Sequence, residues 1–395
     1  MDSSTHEECR EISEAFGGPE ALARLTGSIA TERFAGPQIR KFWKRHPEEY
    51  EKTSHIALVS SFLTSLLLGH VAPVDAGDGH GTNLADIRSR KWSGKAMAAT
   101  APGLMKRLPR LLAKDELIGQ VSPYLANRFG FKSGTMVVVG SGDNPCSLVG
   151  QGLMGVTDIH AISLGTSDTY FGYTKKLEGR RRSEGNIFGT ADGRFMALVC
   201  FKNGSLAREA VKNWYGLSWD EFSRILLETE PGNQGKIMLP YFLPEITPLV
   251  LEPAIRRFGG LQAEDVQGNV RAVAEAQVMA MYLHSGWIGP RPKCILVTAG
   301  ASENRGLLTV ISQVFGAEVR SFEVKESAAL GAAIRAAHGF LNARNGPVEW
   351  SDLFESVARP SVKEVIRPPA EAVGIYQSPN GLLNLYEACE KSTLL

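Results

Sequence analysis

The chain has 395 residues, with 43 Lys and Arg against 42 Asp and Glu, and 43% of its residues are hydrophobic. That length supports two or three domains with full cores. A formal charge of +1 supplies no global field for a nucleic acid or an acidic membrane surface. The five cysteines (Cys9, Cys146, Cys200, Cys294 and Cys389) form no CxxC pair and no metal-like spacing, which fits a reducing, cytoplasmic setting.

The opening "MDSSTHEECREISEAFGG" is polar and acidic, without the apolar core of a secretion signal. Residues 1–135 read mostly as helices. "GGPEALARLTG" and "IRKFWKRHPEEYEKT" have helical spacing. "IALVSSFLTSLLLG" (56–69) falls short of the ~20 residues of a membrane span and is broken by serines, so it predicts a buried helix, capped by Ser54. A polar loop is expected over "VDAGDGHGTNLADIRSRKW" (74–92).

From residue 135 the texture changes. "TMVVVGSGD" and "IHAISLGTSDTYFGY" predict strands, and "KKLEGRRRSEGN" (175–186) predicts a charged, solvated hairpin loop. "NVRAVAEAQVMAMYLHSGWI" is helical. "KCILVTAGASENRGLLTVISQVFGAEVRSFEV" then reads strand, small-residue turn, helix, strand. The face formed by Leu307, Leu308, Ile311, Val314 and Phe315 is apolar, and Gly316 is the stop. "ESAALGAAIRAAHGF" predicts a helix of small residues able to pack closely. Alternating strands and helices argue α/β architecture.

Three turns carry candidate chemistry. In "VVVGSGDNPCSLVG" (137–150), Asn144 is expected to cap a helix whose first residue is Pro145. Asp143 then stands at the carboxyl end of a strand, where open α/β sheets bind ligands. A carboxylate there can accept a proton from a substrate hydroxyl, and a plain capping turn is the alternative. In "SLGTSD" (163–168), Gly165, Thr166 and Ser167 offer N–H groups and hydroxyls that suit a phosphate, or else an ordinary β-hairpin turn. No GxxxxGK[ST] loop exists in the chain. In "TAGASEN" (298–304), a small-residue turn before a helix lets a flat ligand approach the backbone.

These segments, with "MDSST", "LTGSIATERFAGPQIRK" and "CFKNGSLARE", resemble the FGGY carbohydrate kinase family, in particular its eukaryotic branch acting on D-xylulose. "GDN" followed by "SLGTSDT" is far more specific than any glycine-rich turn, and "CFKNGSLARE" narrows the likeness to that branch. The resemblance implies two ribonuclease H-like domains of the actin-like ATPase class around a cleft. Residues 1–155 would be the remainder of an N-terminal sugar-binding domain, and 156–395 the C-terminal nucleotide-binding domain. It implies transfer of the γ-phosphate of ATP, with Mg²⁺, to the 5-hydroxyl of D-xylulose, feeding the pentose phosphate pathway. Asp143 would be the general base and would contact the sugar with Asn144 and Arg33. Gly165 and Thr166 would hold phosphate, Trp219 would lie beside the adenine, and Ala299, Gly300 and Asn304 would hold the adenosine. No protein residue is assigned to the metal.

Two departures bear on these expectations. The family usually has Gly-Gly where this chain has Ala299-Gly300, a small change unless that position needs φ > 0. Relatives also carry a long segment before the part matching "MDSST". It holds a phosphate-binding hairpin, an aspartate that helps place Mg²⁺ and a sugar-contacting histidine. The expectation is therefore an N-terminally truncated chain whose first domain is incomplete and which, alone, binds nucleotide weakly and phosphorylates little or no D-xylulose. A non-catalytic sugar- or nucleotide-binding form, or a kinase for another ketose or polyol, are the competing readings.

Overall fold

The computed structural model describes residues 4–175, 177, 184–322, 326–358 and 362–394. A seven-stranded sheet lies at its centre, ordered Val362–Ile366, Glu318–Phe322, Cys294–Thr298, Ile159–Leu164, Asp168–Thr174, Phe195–Phe201 and Asn186–Gly189. The three strands Glu318–Phe322, Cys294–Thr298 and Ile159–Leu164 run parallel, and the other four join their neighbours antiparallel. The α/β expectation is met.

Side chains alternate across a strand, so each strand feeds two cores. In Phe195–Phe201, Ala197, Val199 and Phe201 join one buried cluster, while Met196 and Leu198 join the other. The first face is covered by helices Ser205–Trp214, Trp219–Glu228, Val266–His284 and Arg305–Phe315. Every residue from Gly268 to Met281 is buried, the apolar ones in the core and the polar Arg271, Glu275 and Gln277 held by buried partners. Leu307, Leu308, Ile311, Val314 and Phe315 are buried as the spacing predicts, and Gly316 ends their helix at φ 63°.

The second face is covered by Asp143–Gly150, Ser327–Asn345 and Trp350–Val357. The small-residue helix Ser327–Asn345 does pack closely. A Cβ built on Gly331 would lie 1.8 Å from the carbonyl oxygen of Cys146, and one on Gly150 would lie 1.9 Å from that of Ser327. Backbone touches backbone here, and only glycine permits it.

The first 150 residues differ from expectation in several places. Among the described residues they form no sheet beyond two-stranded pairs, one of which joins Leu117–Gln120 to Met136–Val138. The segment "IRKFWKRHPEEYEKT" is two helices, Ala35–Arg45 and Pro47–Lys52, divided where Pro47 cannot continue the first. Ser54 caps nothing. Residues 53–58 are held extended by Arg107, whose backbone carbonyl accepts from Ile56 and whose side chain donates to Tyr50 and Thr53, so the helix begins only at Val59. That helix, Val59–Leu68, also turns its apolar face outward. Ser61, Thr64 and Leu68 are buried, whereas Val59, Phe62, Leu63 and Leu66 are exposed. Residues 74–92 are no simple loop, because Asp75 caps a short helix, Ala76–His80, and two short strands follow. Most of the charged 175–186 segment lies outside the described residues. Among the described residues no helix is long and apolar enough to cross a membrane.

Buried charges tie the layers together. Arg335, on the Ser327–Asn345 helix, reaches across to Asp115 (2.5 Å) and Asp75 (3.2 Å). Burial opposes its charge, but the two carboxylates outweigh this and push the guanidinium's pKa up. Near the C-terminus, His284 Nδ1 and Nε2 lie 3.1 and 2.9 Å from Glu184 and Glu390. Burial disfavours the imidazolium, yet those two carboxylates prevail and push its pKa up to about 9. A raised folded-state pKa stabilises fully below the unfolded value and ceases to do so as pH rises through the folded one. Stability should therefore fall between about pH 6.5 and 9, by up to about 3 kcal/mol from this group. Chemical denaturation of His284→Gln should show that slope flattened, and an unchanged slope would exclude His284 as its source.

Candidate active site

The sheet brings two of the three turns to one edge. Thr298 pairs with Ser163 on adjacent parallel strands, so "SLGTSD" and "TAGASEN" leave the same carboxyl end side by side. Gly165 and Thr166 sit at the tip of the hairpin between Ile159–Leu164 and Asp168–Thr174, and Thr166 is exposed. The hairpin reading is correct, and it leaves the phosphate reading intact.

The turn is anchored from beneath by residues that sequence reasoning missed. Asp168 and Arg208, both fully buried, form a two-pronged ion pair at 2.6 and 3.0 Å. The Asp168 carboxylate also accepts the Gly165 N–H. Gln277 accepts from Arg208 at 2.8 Å, and its amide donates to the carbonyls of Asn203 and Gly204. Gly204 lies against the turn: a Cβ there would stand 2.7 Å from Asp168 N and 2.8 Å from Thr166 O. The signal was present in the quoted motifs, an Asp ending "SLGTSD" and an Arg in "SLARE", but only the fold pairs them.

Ala299 adopts φ 70° and ψ −172°, a backbone region left almost wholly to glycine. The departure at this position therefore does carry strain, on the order of 1–3 kcal/mol. Ala299 and Gly300 are exposed on the turn, and Asn304 Oδ1 caps the next helix by accepting from Leu307 N at 3.0 Å. Ala299→Gly should raise stability by about 1 kcal/mol, because relief of strain exceeds the added entropy of the unfolded chain. A lower urea midpoint for that variant would contradict the strain.

Trp219 is the first residue of the Trp219–Glu228 helix, capped reciprocally by Ser218 and Glu221. Its ring is half-exposed, with Lys212 Nζ 5.5 Å from the centroid. The helix packs on Arg305–Phe315, where Gly306 N donates to Ser223 Oγ at 3.1 Å. Trp219 thus belongs to the same wall as Ala299, Gly300 and Asn304.

Asp143 and Asn144 are exposed at the start of the Asp143–Gly150 helix. The cap is Gly142, and the helix begins at Asp143, not at Pro145 as the sequence suggests. An acid is favoured in a helical first turn, and Pro145 still falls where no N–H partner is needed. Asp143 Oδ1 accepts the Asn144 N–H at 2.8 Å. The helix is seated through Leu148 and Val149 on the cluster that contains Phe171 and Leu198 of the sheet. Beside it stands a second acid that the loop reading overlooked. Asp78 takes a hydrogen bond from Ser60 Oγ, and burial, then Asp75, push its pKa up to about 6, with Asp143 adding in the same direction. Arg33 is exposed, and its neighbour Phe34 packs on the same cluster as Leu148. Burial, then Glu245, push the Cys200 thiol up to about 11, and the positive charge of Arg33 opposes them. Among the described residues no hydrogen bond joins Asp143 to the 165–168 turn.

The family model described as the FGGY family of carbohydrate kinases, N-terminal domain, matches residues 1–150, and the C-terminal domain model matches 160–340. The chain belongs to the FGGY family of carbohydrate kinases. It is 41% identical over 383 residues to the xylulose kinase of Rattus norvegicus, covering 94% of this chain and 70% of the rat protein. Xylulose kinase 2 of Arabidopsis thaliana is 42% identical over 375 residues, covering 90% of this chain and 67% of the plant protein. Solved structures share the two-domain ribonuclease H-like fold. A xylulose kinase from Rhodospirillum rubrum superposes with a TM-score of 0.86 at 19% identity, covering 99% of this chain and 78% of that one. Plasmodium falciparum glycerol kinase with ADP gives 0.79 at 16% identity, covering 100% and 78%.

Proposed function

We propose that this FGGY kinase phosphorylates D-xylulose, transferring the γ-phosphoryl group of ATP to the 5-hydroxyl to give D-xylulose 5-phosphate. The observation that carries the reading is Asp143, a solvent-facing carboxylate on a rigidly seated helix, in a chain over 40% identical to two xylulose kinases. One carboxylate oxygen is turned by the Asn144 N–H, which leaves the other to accept the proton of the attacking hydroxyl. Arg33 and Asn144 would bind neighbouring hydroxyls. Gly165 and Thr166 would hold phosphates, while Trp219, Ala299, Gly300 and Asn304 would hold the adenosine. Phosphoryl transfer depends mostly on such positioning and on charge stabilisation. Mg²⁺ would be carried by the ATP phosphates with water, as this ion prefers, and would neutralise charge on them. Residues 1–155 would form the sugar side and 156–395 the nucleotide side. Five unpaired cysteines support a cytoplasmic location.

A coupled ADP-release assay over a panel of pentuloses and polyols, with and without EDTA, tests this. ADP release with D-xylulose above all other sugars is expected. Turnover on another sugar would move the assignment within the family, and ATP binding without turnover would leave a binding protein. Arg33 has a fixed charge and a fork of donors suited to several hydroxyls. Arg33→Ala should therefore raise KM for D-xylulose at least about tenfold, the scale of a lost charged hydrogen bond, with little change in KM for ATP. Equal effects on both would assign it a structural role.

A further inference from the structure

Residues 202–204 leave the strand Phe195–Phe201 and run beside the 165–168 turn. The register sets Phe201 opposite Asp168, and Ser205 N donates to Gly165 O at 3.0 Å. This bend is fixed by a buried polar mount. Glu245 accepts from Lys202 N at 2.6 Å, from Asn203 N at 2.9 Å and from Asn203 Nδ2 at 2.8 Å. Gln277 holds the carbonyls of Asn203 and Gly204 at 2.6 and 2.9 Å. Glu245 and Gln277 are themselves buried.

The mount uses only the backbone of Lys202. On the strand, Met196, Leu198 and Cys200 face the layer that carries the Asp143 helix, and Lys202 follows in the bend just past the strand's end, beside the 165–168 turn. Lys202 is half-buried, and among the described residues no carboxylate lies within salt-bridge distance of it. A half-buried lysine without a carboxylate partner has its charge available for an arriving anion.

We propose that Lys202 is a phosphate-binding residue, its Nζ reaching the terminal phosphate of a nucleoside triphosphate held on the 165–168 turn. The inference rests on the nucleotide reading of that turn. Glu245, Asn203 and Gln277 are then positioning residues, which hold the lysine's backbone at a set distance from the turn. The charge that the ammonium neutralises is greatest on the triphosphate, and adenosine alone should not sense it.

The test is calorimetric binding of ATP and of adenosine to the full chain, to Lys202→Met and to Lys202→Arg. Met keeps the apolar stem, so the fold should persist, and an unchanged melting temperature checks this. The expected result is at least tenfold weaker ATP binding in Lys202→Met, unchanged adenosine binding, and substantial recovery in Lys202→Arg. ATP binding equal to wild type, or equal losses for ATP and adenosine, would overturn the proposal. If the wild-type chain binds ATP but phosphorylates no sugar, the sugar-kinase reading fails while this comparison still decides Lys202. A wild-type chain that binds no ATP overturns both.

Discussion

Asp143→Asn is expected to leave ATP affinity intact while lowering turnover by at least about 10²-fold, the scale of losing a general base. The substitution keeps an oxygen to accept the Asn144 N–H, so the helix start should hold its shape. It removes only the basic oxygen. The carboxylate is exposed at the first residue of its helix, where it can reach a hydroxyl arriving from solvent. The measurement is kcat with D-xylulose beside a binding isotherm for ATP. Near-normal kcat would take Asp143 out of the chemistry and leave it as a helix-start acid.

Arg335→Met should lower stability by about 3–5 kcal/mol, the cost of stranding buried carboxylates without their cation. Asp115 and Asp75 are both nearly inaccessible, and Asp115 Oδ2 has no hydrogen-bond partner even with the arginine present. Asp75 also caps the Ala76–His80 helix and accepts from Ser141 Oγ at 2.9 Å, two residues before Asp143. The damage should therefore spread to the turn that carries the proposed base. Urea denaturation reads it directly, and a loss under about 1 kcal/mol would mean that the carboxylates find other partners or protonate.

What the sequence disclosed follows from how local each determinant is. The Arg305–Phe315 helix, its Gly316 stop and the strands around it were legible because periodicity and capping act within a few residues. The close helix of small residues was legible for the same reason, though not its partner, Gly150, which lies far off in the chain. Asp143, Gly165, Ala299 and Trp219 were assigned by motif, and the fold sets the 163–168 and 298–304 turns side by side with the Trp219 helix packed beside the second. The struts were not legible. Asp168 with Arg208, Glu245 with Asn203, and Arg335 with Asp75 are separated by tens to hundreds of residues, and no local pattern announces them. Local rules failed outright where a distant residue overrode them. Ser54 looked like a cap, but Arg107 draws the preceding chain out straight.

The crossing of Gly150 and Gly331 has a mechanical consequence. Two main chains in contact have no side chain between them to compress, so the crossing acts as a fulcrum with almost no play. Asp143 is at the other end of the same short helix, about 10 Å away at ~1.5 Å per residue. Were the first 150 residues to swing about this point by about 10°, Asp143 would travel less than about 2 Å along its arc. Atoms farther from the fulcrum would sweep proportionately longer arcs. A cleft pivoting here would open widely at its rim while its base, on a short lever arm, stayed close to station.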